Sequence, residues 1–150
     1  MMNLGSLLSP VFSAAQAFEL RIRLTRRVPV EPLPRLLEEL TPEHPASITM
    51  RPSTIWYVIR WVEAVCRRTR VLPDTCLYRA LTRYALLRRA GYAAKFVMGM
   101  DPRAREDLTA HAWVELDGGP YHETLDARFI VTYVYPDDPS ATTKPERSPP

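Results

Sequence analysis

Cys76, His111 and a carboxylate at Glu123 or Asp126 are the residues of this chain whose types and spacing can do covalent chemistry. Pro73-Asp74-Thr75 announces a helix, with Asp74 or Thr75 as the N-cap, so Cys76 falls in the first turn. The unsatisfied backbone N–H groups and the positive dipole end of such a turn favour thiolate over thiol. The same amides can hold a developing oxyanion. Cys66 sits late in the preceding helix, where the dipole opposes a thiolate, and is read as a packing residue. Two cysteines without a CxxC pair make neither a disulfide scaffold nor a zinc or redox motif, and a reducing cytoplasm is the expected compartment.

His111 lies in Ala110-His111-Ala112-Trp113-Val114-Glu115, a segment that reads as a strand. Small neighbours leave room for a substrate backbone beside the ring, and a nearby carboxylate would fix its tautomer. His44, in a proline-rich connector, and His122, which lacks small neighbours, are read as structural or surface residues. Glu115 shares the His111 face, but four residues along a strand is about 13 Å, too far to orient the ring. Strand parity constrains the third member. An odd loop after the His111 strand continues its face through Tyr121 and Glu123, and an even loop through His122, Thr124 and Asp126. A two-residue Gly118-Gly119 turn would ask residue 120 for a backbone N–H, which Pro120 lacks. The sequence therefore favours Glu123, with Asp126 as the alternative. No close pair of metal ligands is present, and neither a metal nor a cofactor is expected.

Positioning these residues requires helices first and a sheet after them. Residues 11–27 read as a helix or, from the alternation of Phe18, Leu20, Ile22 and Leu24, as a strand. Residues 28–34 hold three prolines and lead into a short helix over 34–40. A helix capped by Ser53 or Thr54 buries Ile55, Val58, Ile59, Val62 and Val65 or Cys66, with Arg60, Glu63, Arg67 and Arg68 mostly elsewhere on the surface, and ends near Arg70. The Cys76 helix buries Leu77, Leu81, Tyr84, Ala85 and Leu87 and stops at Gly91. A strand over Tyr92–Met98, a hairpin pairing Thr109–Leu116 with Tyr121–Leu125, and a strand over Phe129–Tyr135 follow. The expected class is α+β, with a Cys-bearing helix packed on a small antiparallel sheet. The expected organisation is a proline-broken N-terminal region (1–52), a core (53–135) and a disordered tail (136–150) with five prolines.

Length and composition bound the function. A chain of 150 residues, 46% hydrophobic, fits one domain with its own core. No apolar run reaches the roughly 18 residues of a membrane span. Residues 4–18 are moderately apolar and end in small residues, but they lack a basic n-region and are interrupted by Pro10, which argues against a signal peptide. The net charge of +3 divides into +1 over residues 1–59, +7 over 60–100 and −5 over 101–150. Arg60, Arg67, Arg68, Arg70, Arg79, Arg83, Arg88 and Arg89 in the middle segment fit a solvated face, an acidic peptide or partner, or a nucleic-acid module.

Taken together, Pro73-Asp-Thr-Cys76-Leu-Tyr-Arg-Ala80-Leu, Leu86-Leu-Arg-Arg-Ala-Gly91, Met98-Gly-Met, Ala110-His111-Ala-Trp113-Val-Glu115, Asp117-Gly and Glu123 resemble the transglutaminase-like cysteine-protease superfamily. Within it they are most similar to the leader peptidases of lasso-peptide biosynthesis, in the form where the B protein is split and one chain is the peptidase half. The resemblance covers about residues 53–135. It implies a transglutaminase-like, papain-like fold with Cys76 as nucleophile, His111 as general base and then acid, and Glu123 as the orienting carboxylate. The family's third residue is Asp or Glu, which keeps Asp126 open. It further implies a ribosomally made lasso precursor as substrate, cut at the leader–core junction after a leader whose penultimate residue is commonly Thr. Its implied partners are a small leader-binding recognition protein and an ATP-dependent lasso cyclase, with no nucleic acid. The apolar, proline-broken N-terminus is a candidate docking or membrane-surface element. The alternatives are a transglutaminase or other amidase on the same triad and, from a different class, the Arg-rich nucleic-acid module.

Overall fold

The computed structural model describes residues 5–43, 50–103 and 109–137. His44 and most of the expected tail, 138–150, lie outside the described residues. Helices α1 (Gly5–Arg27), α2 (Leu33–Leu40), α3 (Pro52–Thr69) and α4 (Cys76–Arg89) precede strands β1 (Lys95–Met100), β2 (Ala110–Leu116), β3 (Gly119–Pro120) and β4 (Ile130–Tyr135). The sheet is antiparallel in the order β3-β2-β1-β4. No helix among the described residues is long and apolar enough to cross a membrane.

Segment 11–27 is helical. Its buried residues, Ala17, Leu20, Arg21 and Leu24, follow helical spacing, so the stripe that packs inward overrides the shorter Phe18-to-Leu24 alternation. Helix α3 begins at Pro52, where proline's missing N–H costs nothing, and ends at Arg70 in the left-handed conformation (φ 52°). Helix α4 buries Leu81, Tyr84, Ala85 and Leu87. It closes with two bonds, Gly91 N–H to Arg88 O and Tyr92 N–H to Leu87 O, around Gly91 at φ 92°.

One apolar cluster joins Leu20 and Leu24 of α1, Leu36, Leu37 and Leu40 of α2, and Ile59 of α3 to α4 and to Phe96, Ala112 and Val114 of the sheet. The helices drawn from residues 1–52 therefore pack into the same core as those of 53–135. Cys66 is buried in a second cluster with Ala17, Val58 and Val62, and burial pushes its thiol up. Ala112 and Val114 face the helices, and Trp113, which alternates with them, is also buried. Trp113 lies over Gly99, where a Cβ would come within 2.9 Å of the indole and 3.0 Å of the Ile130 carbonyl. Only glycine lets the β1 backbone approach that closely.

The hairpin differs from expectation. The turn is Asp117-Gly118, with φ of 54° and 80°, the positive values a type I′ turn requires. Leu116 then pairs with Gly119 and Glu115 with Pro120, and the Tyr121 N–H returns to the Val114 carbonyl at 2.8 Å. Moving the turn back by one residue puts Pro120 where no ladder N–H is needed, so the shortest even loop forms after all. The expected strand over Tyr121–Leu125 does not form: β3 ends at Pro120, and His122 takes a left-handed conformation with φ 50°.

Candidate active site

Cys76 is the first residue of α4, a free cysteine that is partly exposed. Thr75 occupies the N-cap but makes no side-chain capping bond, so its hydroxyl does not compete for the first-turn amides beside Cys76. The other cap candidate, Asp74, is used differently. Its carboxylate accepts Arg79 Nε and Nη2 at 3.0 and 2.7 Å and Arg21 Nη2 at 3.1 Å. Arg21 is fully buried on α1 and also donates to Thr82 Oγ1 at 3.0 Å and the Pro73 carbonyl at 2.9 Å. The start of the Cys76 helix is thereby tied to both α1 and its own second turn.

Burial alone would raise the Asp74 carboxyl, but the Arg79 fork and the charges of Arg79, Arg21 and Arg67 outweigh it and hold the group below the usual carboxylate range. The folded chain thus keeps Asp74 ionised at pH values where the unfolded chain, titrating near about 3.9, has begun to protonate it. The stability it contributes is complete above that value and is lost as pH falls through the lower folded one. Asp74→Asn is expected to lower stability by about 3 kcal/mol at pH 7, because it strands the buried Arg21 charge. In urea melts, the gap between wild type and variant should close as pH drops below about 4. A gap that stays constant to pH 2 would contradict the ionic role.

His111 sits near the start of β2, with its ring 5.4 Å from Phe129 and 6.0 Å from Trp113. Its Nε2 meets Glu123 Oε1 at 2.5 Å. Because β3 pairs only with Glu115 and Leu116, the first half of β2 has no strand partner on that side among the described residues. His122, stacked on Trp56 at 4.3 Å, leads directly into Glu123. Asp126 is turned elsewhere: Oδ1 accepts the Arg128 N–H at 3.1 Å and Oδ2 pairs with Arg128 Nε at 3.1 Å. Glu115 accepts the Trp113 indole N–H at 3.3 Å.

Two residues expected at the surface belong to this site. The Arg83 side chain, 8% exposed on α4, donates Nη1 to Glu123 Oε2 at 3.1 Å. It also forks onto Glu63 of α3, 7% exposed, through Nε at 2.9 Å and Nη2 at 3.2 Å. Glu63 therefore lies on the buried side of α3, between Val62 and Cys66, and Arg83 is absent from any basic outer face. The sequence held one signal of this: Glu63 and Arg83 fall at helical spacing from Ile59 and Cys76. The structure brings His111 and Glu123 together and places Cys76 two turns from Arg83 on the same helix. Cys76 makes no hydrogen bond with His111 among the described residues, as is common in sites that tighten only around substrate.

Among the described residues, four helices, the last opened by a cysteine, stack on an antiparallel sheet whose His111 meets a carboxylate from the loop after β3, and these define a transglutaminase-like α+β domain. The chain belongs to the transglutaminase-like superfamily, whose family model matches residues 14–134, beginning well ahead of the 53–135 core expected from its motifs. That superfamily is generally of the cysteine-protease and acyltransferase type. No curated protein and no solved structure matches the chain.

Proposed function

We propose that this protein is a cysteine peptidase that removes the leader from a ribosomally made lasso-peptide precursor, acting with a leader-binding partner protein. The observation that carries the chemistry is the contact between His111 of β2 and Glu123 of the loop after β3, beside a helix that begins at Cys76. Glu123 holds the Nε2 side of the imidazole, which leaves Nδ1 for proton exchange with the thiol and the substrate. The thiolate of Cys76 attacks the scissile carbonyl, and the oxyanion is met by the backbone amides of the first turn of α4. His111 gives its proton to the leaving amine as the C–N bond breaks, then takes one from water, which releases the thioester as a carboxylate and restores the thiol. The lasso precursor and the partner rest on the sequence motifs, and the geometry supports the acyl-transfer core of the reading.

The test mixes the chain with a lasso precursor, with and without the leader-binding protein, and follows masses. The expected products are leader and core fragments that together exceed the precursor by one water, formed at an appreciable rate only with both proteins present. An amine adduct formed with loss of ammonia would replace this reading with transglutaminase chemistry on the same residues. Intact precursor in the complete mixture would overturn it. The nucleic-acid reading is weakened because Arg79 and Arg83 are committed to Asp74, Glu63 and Glu123.

A further inference from the structure

We infer that Arg83 and Glu63 are positioning residues, and that the relay Glu63–Arg83–Glu123–His111, buried at its Glu63–Arg83 end, sets the orientation of the His111 imidazole. The inference rests on the peptidase reading for its kinetic test and on the geometry alone for its spectroscopic one.

A carboxylate that holds a histidine needs a fixed plane and a retained charge, and a side chain with three χ angles in a loop supplies neither by itself. Glu123 lies in a segment without strand pairing, yet both its oxygens are occupied, Oε1 by His111 at 2.5 Å and Oε2 by Arg83 at 3.1 Å. Arg83 is itself immobilised. Its Nε and Nη2 form a fork on Glu63, which leaves Nη1 as the donor aimed at Glu123, and its guanidinium lies 5.3 Å from the centre of the Trp56 ring. Trp56 stacks on His122, the residue whose left-handed backbone delivers Glu123. The same guanidinium therefore fixes the carboxylate by a hydrogen bond and the approach of its loop by packing.

The charges alternate along the relay: Glu63 on α3, Arg83 on α4, Glu123 after β3, and an imidazolium at His111 when it is protonated. The Arg79 guanidinium, one turn from Cys76, is pushed up chiefly by its hydrogen bonds to Asp74, against the opposing effect of burial, and further by the charges of Asp74, Glu63 and Glu123. Two carboxylates around one buried guanidinium leave Glu123 with a cation in place before His111 is ever protonated. Lysine cannot reproduce the arrangement, because one ammonium point charge does not present a rigid fork to Glu63 and a third donor to Glu123.

The test compares Arg83→Gln, Arg83→Lys and Glu63→Gln with Tyr84→Phe, which removes the Thr41–Tyr84 hydroxyl contact one residue along the same helix and touches none of the relay. For Arg83→Gln, kcat on a lasso precursor with the partner present is expected to fall about 30-fold with KM within about twofold. Arg83→Lys should recover part of the loss, and Glu63→Gln should cost about fivefold. The downfield proton resonance of the His111–Glu123 bond, read in the Cys76→Ala protein, should shift or broaden in Arg83→Gln and stay in place in Tyr84→Phe. Unchanged kcat and resonance in Arg83→Gln would overturn the inference even while Cys76→Ala abolishes cleavage. A kcat loss matched by Tyr84→Phe would reduce Arg83 to a stabilising residue. If Arg83→Gln does not fold, Arg83→Lys and Glu63→Gln carry the same comparison. Should cleavage survive Cys76→Ala, the peptidase reading fails, and the resonance still decides whether Arg83 governs the histidine.

Discussion

Cys76→Ala is expected to abolish precursor cleavage, with a loss of at least about 10⁴-fold in kcat/KM in the reconstituted mixture. Without the sulfur no thioester forms, and the remaining machinery, a histidine and helix-end amides, can only assist direct attack by water. The matched control is Cys66→Ala. Cys66 is packed among Ala17, Val58 and Val62 near the end of α3, and its loss should lower stability modestly while leaving turnover intact. Alkylation offers a readout without substrate: brief treatment of the native chain with iodoacetamide should add one label, at Cys76, because Cys66 is 1% exposed. Cleavage that persists in Cys76→Ala, or a label placed on Cys66, would remove the nucleophile from the proposed mechanism.

The two cysteines could be separated from sequence because each is governed by local rules. The order of caps and apolar stripes placed Cys76 at a helix start and Cys66 near a helix end, and the helical spacing of Ile55, Val58, Ile59 and Val62 survives intact in α3. Long-range pairing was not accessible in the same way. Arg21 and Asp74 are 53 residues apart, and Arg83 and Glu123 are 40 apart. Helical spacing from Cys76 is the one local hint at Arg83, and spacing alone does not separate an arginine buried by two carboxylates from one that faces water, so the sequence groups Arg83 with the other basic residues of the middle segment. Segment 11–27 stays open between helix and strand for a related reason. Its alternation of Phe18, Leu20, Ile22 and Leu24 is as regular as a strand's, and only the packing of Ala17, Leu20, Arg21 and Leu24 onto the other helices decides for a helix.

Glu123→Ala is expected to cost about 100-fold or more in kcat/KM, and Asp126→Ala less than about threefold, a ranking that depends on how the chain leaves β3. Parity alone points the other way, because the Asp117-Gly118 turn is an even loop, and an extended strand beyond it would continue the His111 face through Thr124 and Asp126. The strand is not extended. Left-handed His122, wedged between the Trp56 and Tyr121 rings, breaks the alternation immediately before Glu123 and turns its carboxylate onto His111 Nε2. Glu123 is thus favoured for a different reason from the proline at 120. Asp126 is 55% exposed and occupied by Arg128, so its removal should disturb only the local turn. Removing Glu123 frees the imidazole to rotate and leaves the buried Arg83 guanidinium with Glu63 alone, the loss typical of an orienting carboxylate being large because tautomer and ring plane go together. Glu123→Gln separates the two contributions. It preserves shape but presents a neutral amide to Arg83 and His111, and should lose nearly as much activity as Glu123→Ala if charge matters as well as reach. The opposite ranking, with Asp126→Ala the more damaging, would mean that the chain after β3 rearranges around substrate and that strand parity, not the His122 turn, selects the third residue.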